Sequence, residues 1–377
     1  MIVLKFLARI VLAASLAGAA VAQQSPPAPG AKPAAEAELA LNARDIPLGG
    51  ALKTPGLWRD YKARFVSAQG RVIDTGNGMI SHSEGQGYGM LFAVAANDRE
   101  TFDRIWGWTR ANLMVRDDQL MAWRWEPGQR PAVSDMNNAT DGDILAAWAL
   151  TEAAELWAEL SYRVAARRIA VEVGRKNVLF KTKMGALLLP AVFGFSAQER
   201  PDGPVINLSY YVFPAFPRLK IVAPEYDWPG LVQSGLDLLK AANAQGSKLP
   251  PDWLSVRDTE VKPAEGFPPH FSYNAIRVPL DLVWAGIGEK EHYREFMSWG
   301  KRRSGVLQAV NVKTGRDAEA FREPGYASVA QLLDCVVEGG KTRFDFTSVR
   351  AQNYYPATLH LMAALAIQMR YASCARI

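Results

Sequence analysis

Apolar positions recur at helical spacing along most of the chain, in stretches of about 12 to 18 residues set apart by breaks rich in Gly, Pro and Asn. The spacing predicts helices near 84–97, 99–114, 142–160, 163–177, 230–244, 273–288, 290–303, 326–338 and 356–373. In the 142–160 stretch, Ile144, Trp148, Thr151 and Leu156 join Ala149, Leu150, Ala153 and Trp157 to make the helix apolar around much of its circumference. Such a helix belongs in an interior. The stretch that follows, 163–177, is more charged. This alternation predicts an inner and an outer layer: an all-α barrel, with short strands in the loops around 185–225.

Composition changes the picture at the N-terminus first. Lys5 and Arg9 precede an apolar run from Ile10 that closes on Ala20, Val21 and Ala22, the pattern of a secretory signal cleaved near Ala22. Arg9 interrupts a run that would need roughly 20 apolar residues to span a bilayer, so no stable membrane anchor is expected. Residues 23–40 are a flexible Pro/Ala-rich lead-in, and 41–377 form one catalytic domain. Loss of residues 1–22 takes away two basic residues and no acid, lowering the formal charge from +5 to +3. No basic run with interleaved aromatics points to nucleic acid. Four scattered histidines, with no CxxC or HExxH pattern, give no reason to expect a metal, and no cofactor is expected. Cys335 and Cys374 could pair in an oxidising compartment, but their geometry is open.

Eleven tryptophans and twelve tyrosines exceed what a helical core requires. Several lie in the breaks: Trp123 and Trp125 around Arg124, Trp228 after Asp227, Trp253 after Asp252, and the pair Tyr354 and Tyr355. Aromatic faces stack on the C–H faces of sugars, but such residues also cap cores.

Three stretches carry the chemistry. In 71–90, RVIDTGNGMISHSEGQGYGM, Ser83 starts a helix with Glu84 in its first turn. Glycine costs a helix about 1 kcal/mol relative to alanine. Gly85, Gly87 and Gly89 therefore predict a close approach to that face, with Glu84 turned toward a ligand. In 134–150, SDMNNATDGDILAAWAL, Thr140 reads as the N-cap, with Asp141 and Asp143 in the first turn. Carboxylates two apart diverge by about 200°, so one can line a cleft while the other holds the frame. In 266–286, GFPPHFSYNAIRVPLDLVWAG, Tyr273, Asn274 and Arg277 open a helix, with Asn274 and Arg277 on one face. An arginine there opposes the helix dipole and calls for a carboxylate or ligand partner.

Taken together, SEGQGYGM at 83–90, ATDGD at 139–143 and SYNAIRVP at 272–279 resemble glycoside hydrolase family 8, in its bacterial, cellulose-synthase-associated endoglucanase type. The resemblance runs from Arg71 through NYYPATLHLMAALA at 353–366. Ala146 departs slightly, since a larger aliphatic residue is usual there. The resemblance implies an (α/α)6 barrel with its cleft across the ends of the inner helices, and inverting endo-hydrolysis of β-1,4 links. Carried over by position, Glu84 is the general acid and Asp141 the carboxylate holding the distorted sugar. Trp123, Tyr211, Tyr273, Arg277 and Tyr355 fall on substrate subsites.

Asn274 stands where most cellulases of the family carry an Asp as base, and an amide cannot take a proton from water. Branches with Asn there implicate a carboxylate in the preceding loop; Glu265 is the candidate base, ahead of Glu260 and Asp258. Inversion places acid and base about 6.5–9.5 Å apart with a water between them. Glu84 should hold a proton near neutrality, its pKa raised by burial or by Asp141.

The expected protein is thus a monomeric endo-β-1,4-glucanase, periplasmic or secreted, acting on a β-1,4-linked polysaccharide, with a cellulose synthase complex as the candidate partner. A chitosanase or xylanase of the same fold, or a non-catalytic polysaccharide-binding protein, are the alternatives.

Overall fold

The structure, a computed structural model, describes residues 46–244, 246–301, 306–339, 345–349 and 352–375. The signal and the lead-in lie outside them. Helices dominate: α1 (Pro55–Phe65), α2 (Ser83–Ala95), α3 (Arg99–Asn112), α4 (Thr140–Leu156), α5 (Leu160–Lys176), α6 (Phe216–Val222), α7 (Trp228–Asn243), α8 (Arg277–Ala285), α9 (Lys290–Gly300), α10 (Pro324–Glu338) and α11 (Tyr354–Arg370). No described helix is long and apolar enough to cross a membrane.

Two kinds of helix alternate. In α2, α4, α8 and α11 almost every side chain is buried, whereas α3 buries one stripe (Thr101, Phe102, Ile105, Trp106 and Thr109) and α5 another (Tyr162, Ala166, Ile169, Ala170 and Val173). The fully apolar helices form the inner layer of an all-α barrel and the striped ones wrap it. α1 is not evident from the sequence because its stripe of Leu57, Trp58, Tyr61 and Phe65 is short and interspersed with charge.

Close packing in the inner layer depends on small residues. A Cβ on Gly87 would lie 2.6 Å from Leu145 Cβ of α4, and one on Gly142 would lie 2.7 Å from the Glu84 amide of α2. A Cβ on Gly89 would meet Val72 Cγ2 at 2.7 Å, and one on Gly85 would meet the Tyr354 hydroxyl at 3.1 Å. The glycines expected to face a ligand are therefore filled against protein. They bring the beginnings of α2 and α4 into contact.

Short strands occupy the loops, as expected, and extend well beyond 185–225. β1 (Ser81–His82) pairs with β2 (Arg124–Trp125); β3 (Val178–Thr182) pairs with β4 (Gly185–Leu188). β5 (Val205–Ile206), β6 (Leu254–Arg257) and β7 (Glu260–Pro263) form one antiparallel sheet, and β8 (His270–Phe271), β9 (Leu307–Asn311) and β10 (Asp317–Phe321) another. Cys335 of α10 is disulfide-bonded to Cys374 in the 3-10 turn beyond α11, which answers the pairing left open by the sequence.

Candidate active site

A cleft of about 660 Å³ opens where the inner elements begin. Its lining comes from His82, Ser83 and Glu84 at the head of α2, Ala139 and Asp141 at α4, Tyr210 in a 3-10 turn, and Tyr273, Asn274 and Arg277 at α8. Glu323 and Tyr326 add the head of α10, and Asn353, Tyr355 and Pro356 that of α11. Several helix N-termini thus converge on one space, where their dipoles favour carboxylates.

Local structure sets each side chain. His82, extended, caps α2 by accepting a hydrogen bond from the Gly85 amide on Nδ1 at 2.9 Å, and Ser83 starts the helix as the sequence predicts. Its Nε2 faces Asp74 Oδ2 at 3.4 Å. The β1–β2 pairing and a bond from Ser83 N to Trp123 O at 3.0 Å fix Trp123 beside Glu84. Ala139, not Thr140, is the N-cap of α4; the Thr140 hydroxyl donates to Leu189 O at 2.7 Å. Asp143, fully buried, accepts from Met121 N and Asn138 Nδ2, both at 2.9 Å. Asp252 accepts from the amides of Ser272 at 3.0 Å and Ala275 at 2.8 Å, shaping the turn that presents Tyr273 and Asn274. α8 starts only at Arg277, four residues later than the periodicity suggests.

At the floor, Arg277 Nη1 donates to Glu84 Oε2 at 2.5 Å and to Asp141 Oδ2 at 3.2 Å. Its Nη2 donates to Ser209 Oγ at 2.9 Å and Asn274 Oδ1 at 3.2 Å, and its guanidinium lies 5.9 Å from the Tyr210 ring centre. Side-chain exposure is 17% for Glu84 but only 1% for Asp141 and 2% for Arg277, so Glu84 is the member of the trio open to the cleft.

The two carboxyls meet at one nitrogen, since Arg277 Nη1 serves both. Burial, then the charge of Glu84, pushes Asp141 up to about 8 against the pull of Arg277. For Glu84, burial acts upward, but Arg277 and then His82 outweigh it and hold the group below the usual carboxylate range. That reverses the expectation for Glu84. The guanidinium sits nearer Glu84 than Asp141, which accounts for the opposite directions of the two shifts.

Tyr211 does not reach the cleft. It is fully buried, and its hydroxyl accepts from Leu188 N at 2.9 Å; Tyr210, one residue earlier, lines the cleft instead. The 3-10 turn Leu208–Tyr210, capped by Asn207, sets a register that helical periodicity does not anticipate. Glu265 is exposed and outside the lining. Its amide donates to Asp202 Oδ2 at 2.7 Å and its carbonyl accepts from Arg200 at 2.5 Å. Glu260 and Asp258 are exposed as well, and Asp258 pairs with Lys183 at 3.0 Å. Trp228 and Tyr354 are core residues, and Trp253 stacks between Phe195 and Phe267. Unanticipated cleft residues are Asp74, His82, Tyr210, Glu323, Tyr326 and Asn353. The carboxylate of Glu323 accepts from the Asn353 amide and, at 3.1 Å, from its Nδ2.

The profile of glycosyl hydrolases family 8 matches residues 49–369. The chain belongs to that family. A probable endoglucanase of Novacetimonas hansenii is 37% identical over 82% of this chain and 89% of its own length. Among solved structures, an endo-β-1,4-glucanase from Acetobacter xylinum superposes with a TM-score of 0.76 at 35% identity, covering 85% of this chain and 99% of that one. A family 8 endoglucanase from Klebsiella pneumoniae gives 0.75 at 34%, covering 83% and 99%. The architecture is accordingly the (α/α)6 barrel expected of a family 8 member.

Proposed function

We infer that the chain is an inverting endo-β-1,4-glucanase in which Glu84 delivers the proton to the leaving oxygen, Asp141 and Arg277 hold the sugar at the point of cleavage, and the glucan lies along Trp123, Tyr210, Tyr273, Tyr326 and Tyr355. One observation carries this reading: a carboxyl at the head of α2 reaches an aromatic-walled cleft while a second carboxyl and a buried guanidinium grip it from behind. Placing the glycosidic oxygen over Glu84 leaves the far face of the ring to water.

Asn274 cannot take that water's proton. Its Oδ1 accepts from Arg277 Nη2 at 3.2 Å, and its Nδ2 can only donate. Among the described residues, the remaining carboxylates that line the cleft are Asp74 and Glu323, and the base belongs to that pair instead of Glu265.

The assay is reducing-sugar release from carboxymethylcellulose, mixed-linkage glucan, xylan and chitosan, with the anomer of the first product read by NMR. Release from the glucans with inverted configuration is expected. No release from any polymer would leave a polysaccharide-binding protein, and chitosan alone would move the substrate class.

We also propose export to the periplasm and work beside a cellulose synthase, trimming glucan as it emerges. The support is the apolar segment from Ile10 closing on Ala20, Val21 and Ala22. Immunoblotting of cell fractions, and cross-linking to the synthase, test the two parts separately.

A further inference from the structure

We propose that Glu84 and Asp141 act as one acid: a single proton is stored on Asp141 in the empty enzyme and passes to Glu84 when substrate seats. The idea rests on the assignment of Glu84 as proton donor and adds where that proton waits.

The geometry begins with backbone contact. Gly142 lets α4 press against the first turn of α2, bringing the two carboxyls to the same Arg277 nitrogen. Two carboxylates held this close repel each other unless one carries a proton. Arg277 Nη1 serves both, at 2.5 and 3.2 Å, so one positive charge faces two acids in a pocket that leaves Asp141 only 1% exposed. With one proton present the trio is neutral. Without it, an uncompensated charge is buried, which low dielectric makes costly. The shorter Arg277 contact favours the ionised form at Glu84, leaving the proton with the deeper partner.

Groups facing the pair do not upset this count. From α8, Asp281 is buried, and that burial pushes it well above its ordinary range, which disfavours a further charge. Tyr88, Tyr210, Tyr354 and Tyr355 are raised well above theirs and stay phenols. His82 accepts from Gly85 N on Nδ1 and turns Nε2 to Asp74 at 3.4 Å. Burial opposes charging His82, but the hydrogen bond to Asp74 and the charges of Glu84, Asp74 and Asp141 outweigh it and raise the group; when charged it is paired with Asp74 and leaves the trio's count unchanged.

The transfer is balanced. An Asp141 O–H bond breaks and a Glu84 O–H bond forms, with the net charge of the pair unchanged. A sugar ring seated against Arg277 draws its Nη1 from Glu84 and makes that oxygen the better proton holder. Glu84 then releases the proton to the glycosidic oxygen as the C–O bond breaks. The proton lost by the attacking water returns to the pair through solvent.

Two measurements on the full-length protein test this. In the unliganded enzyme with 13C-labelled carboxyls, Asp141 should stay protonated past neutrality, and Glu84→Gln should lower its midpoint by at least one pH unit. Independent titration of Asp141 in that variant overturns the proposal. In the kcat/KM profile, Asp141→Asn should move the alkaline limb downward by a unit or more, a loss of about tenfold in rate per unit on that limb. A rate reduced evenly at all pH with the limb unmoved assigns Asp141 to sugar positioning alone and also overturns it. The NMR arm needs no substrate, so inactivity on glucans would fail the glucanase reading, while the carboxyl titration alone would still uphold or overturn the shared proton.

Discussion

Glu84 is more open to the cleft than Asp141, with Arg277 gripping both from behind, so its removal should be felt in chemistry before binding. Glu84→Gln is expected to lower kcat on carboxymethylcellulose by at least about 10²-fold, the usual scale of general acid catalysis. Calorimetric titration with cello-oligosaccharides should show affinity nearly unchanged, because the amide preserves shape and one acceptor. Glu265→Gln is the contrasting variant. Exposed and away from the lining, its side chain should be dispensable, with specific activity within about twofold of the parent; a far larger loss returns the base to that loop. Legibility followed the same divide. Arg277 announces itself because an arginine at a helix start opposes the dipole and needs a partner, whereas Glu84 and Asp141, ordinary as first-turn acids, stand out only within SEGQGYGM and ATDGD. Tyr211 was misplaced by one residue, since a single 3-10 turn decides which of two adjacent tyrosines faces solvent.

Among the elements, α2 and α4 define the site by how near they come. Gly142 faces Ser83 and the Glu84 amide at distances no Cβ tolerates, so Gly142→Ala must push the two helix heads apart. Overpacking of this kind costs about 1–3 kcal/mol. The expected result is a lower urea midpoint together with a fall in kcat that exceeds the loss of folded protein, because the carboxyl pair is spread. Circular dichroism and initial rates on the same samples check it. The glycine pattern was visible in the sequence but not its reason: protein surfaces and ligands make the same demand for empty space. The long inner helices were equally visible through their continuous apolarity. The two-residue strands β1, β5 and β8 were not, as pairs of that length are set by what packs around them and not by alternation of their own.

For the molecule as a whole, buried acids set a pH slope. Burial pushes Asp143 up to about 7 and Asp252 to about 6. In the unfolded chain both ionise near 3.9. The folded state thus keeps protons the unfolded state has lost, and stability present below about pH 4 drains away as pH climbs through 6 and 7. Asp98 acts oppositely: burial works upward, but Lys62 and Trp58 hold it near about 2, so its contribution exists above pH 4 and disappears below 2. Thermal melts should peak in mildly acidic buffer and fall toward pH 8, and Asp143→Asn should flatten the alkaline slope. A parent melting temperature that rises steadily from pH 5 to 8 refutes the assignment. Reducing the Cys335–Cys374 bond, which spans 39 residues, should remove about 3–4 kcal/mol on chain-entropy grounds. A shift of the melt in dithiothreitol, absent in a Cys335→Ser/Cys374→Ser double variant, reports it.

That bond joins α10, whose head carries Glu323 and Tyr326, to the turn beyond α11, whose head carries Asn353 and Tyr355. It pins the end of one helix to the turn that follows the other, so it works as a latch on that part of the groove. Enzyme made among reducing thiols would keep its acid pair, which comes from other elements, yet offer the polymer a looser rail. The defect would be felt in grip on long chains sooner than in cutting short ones.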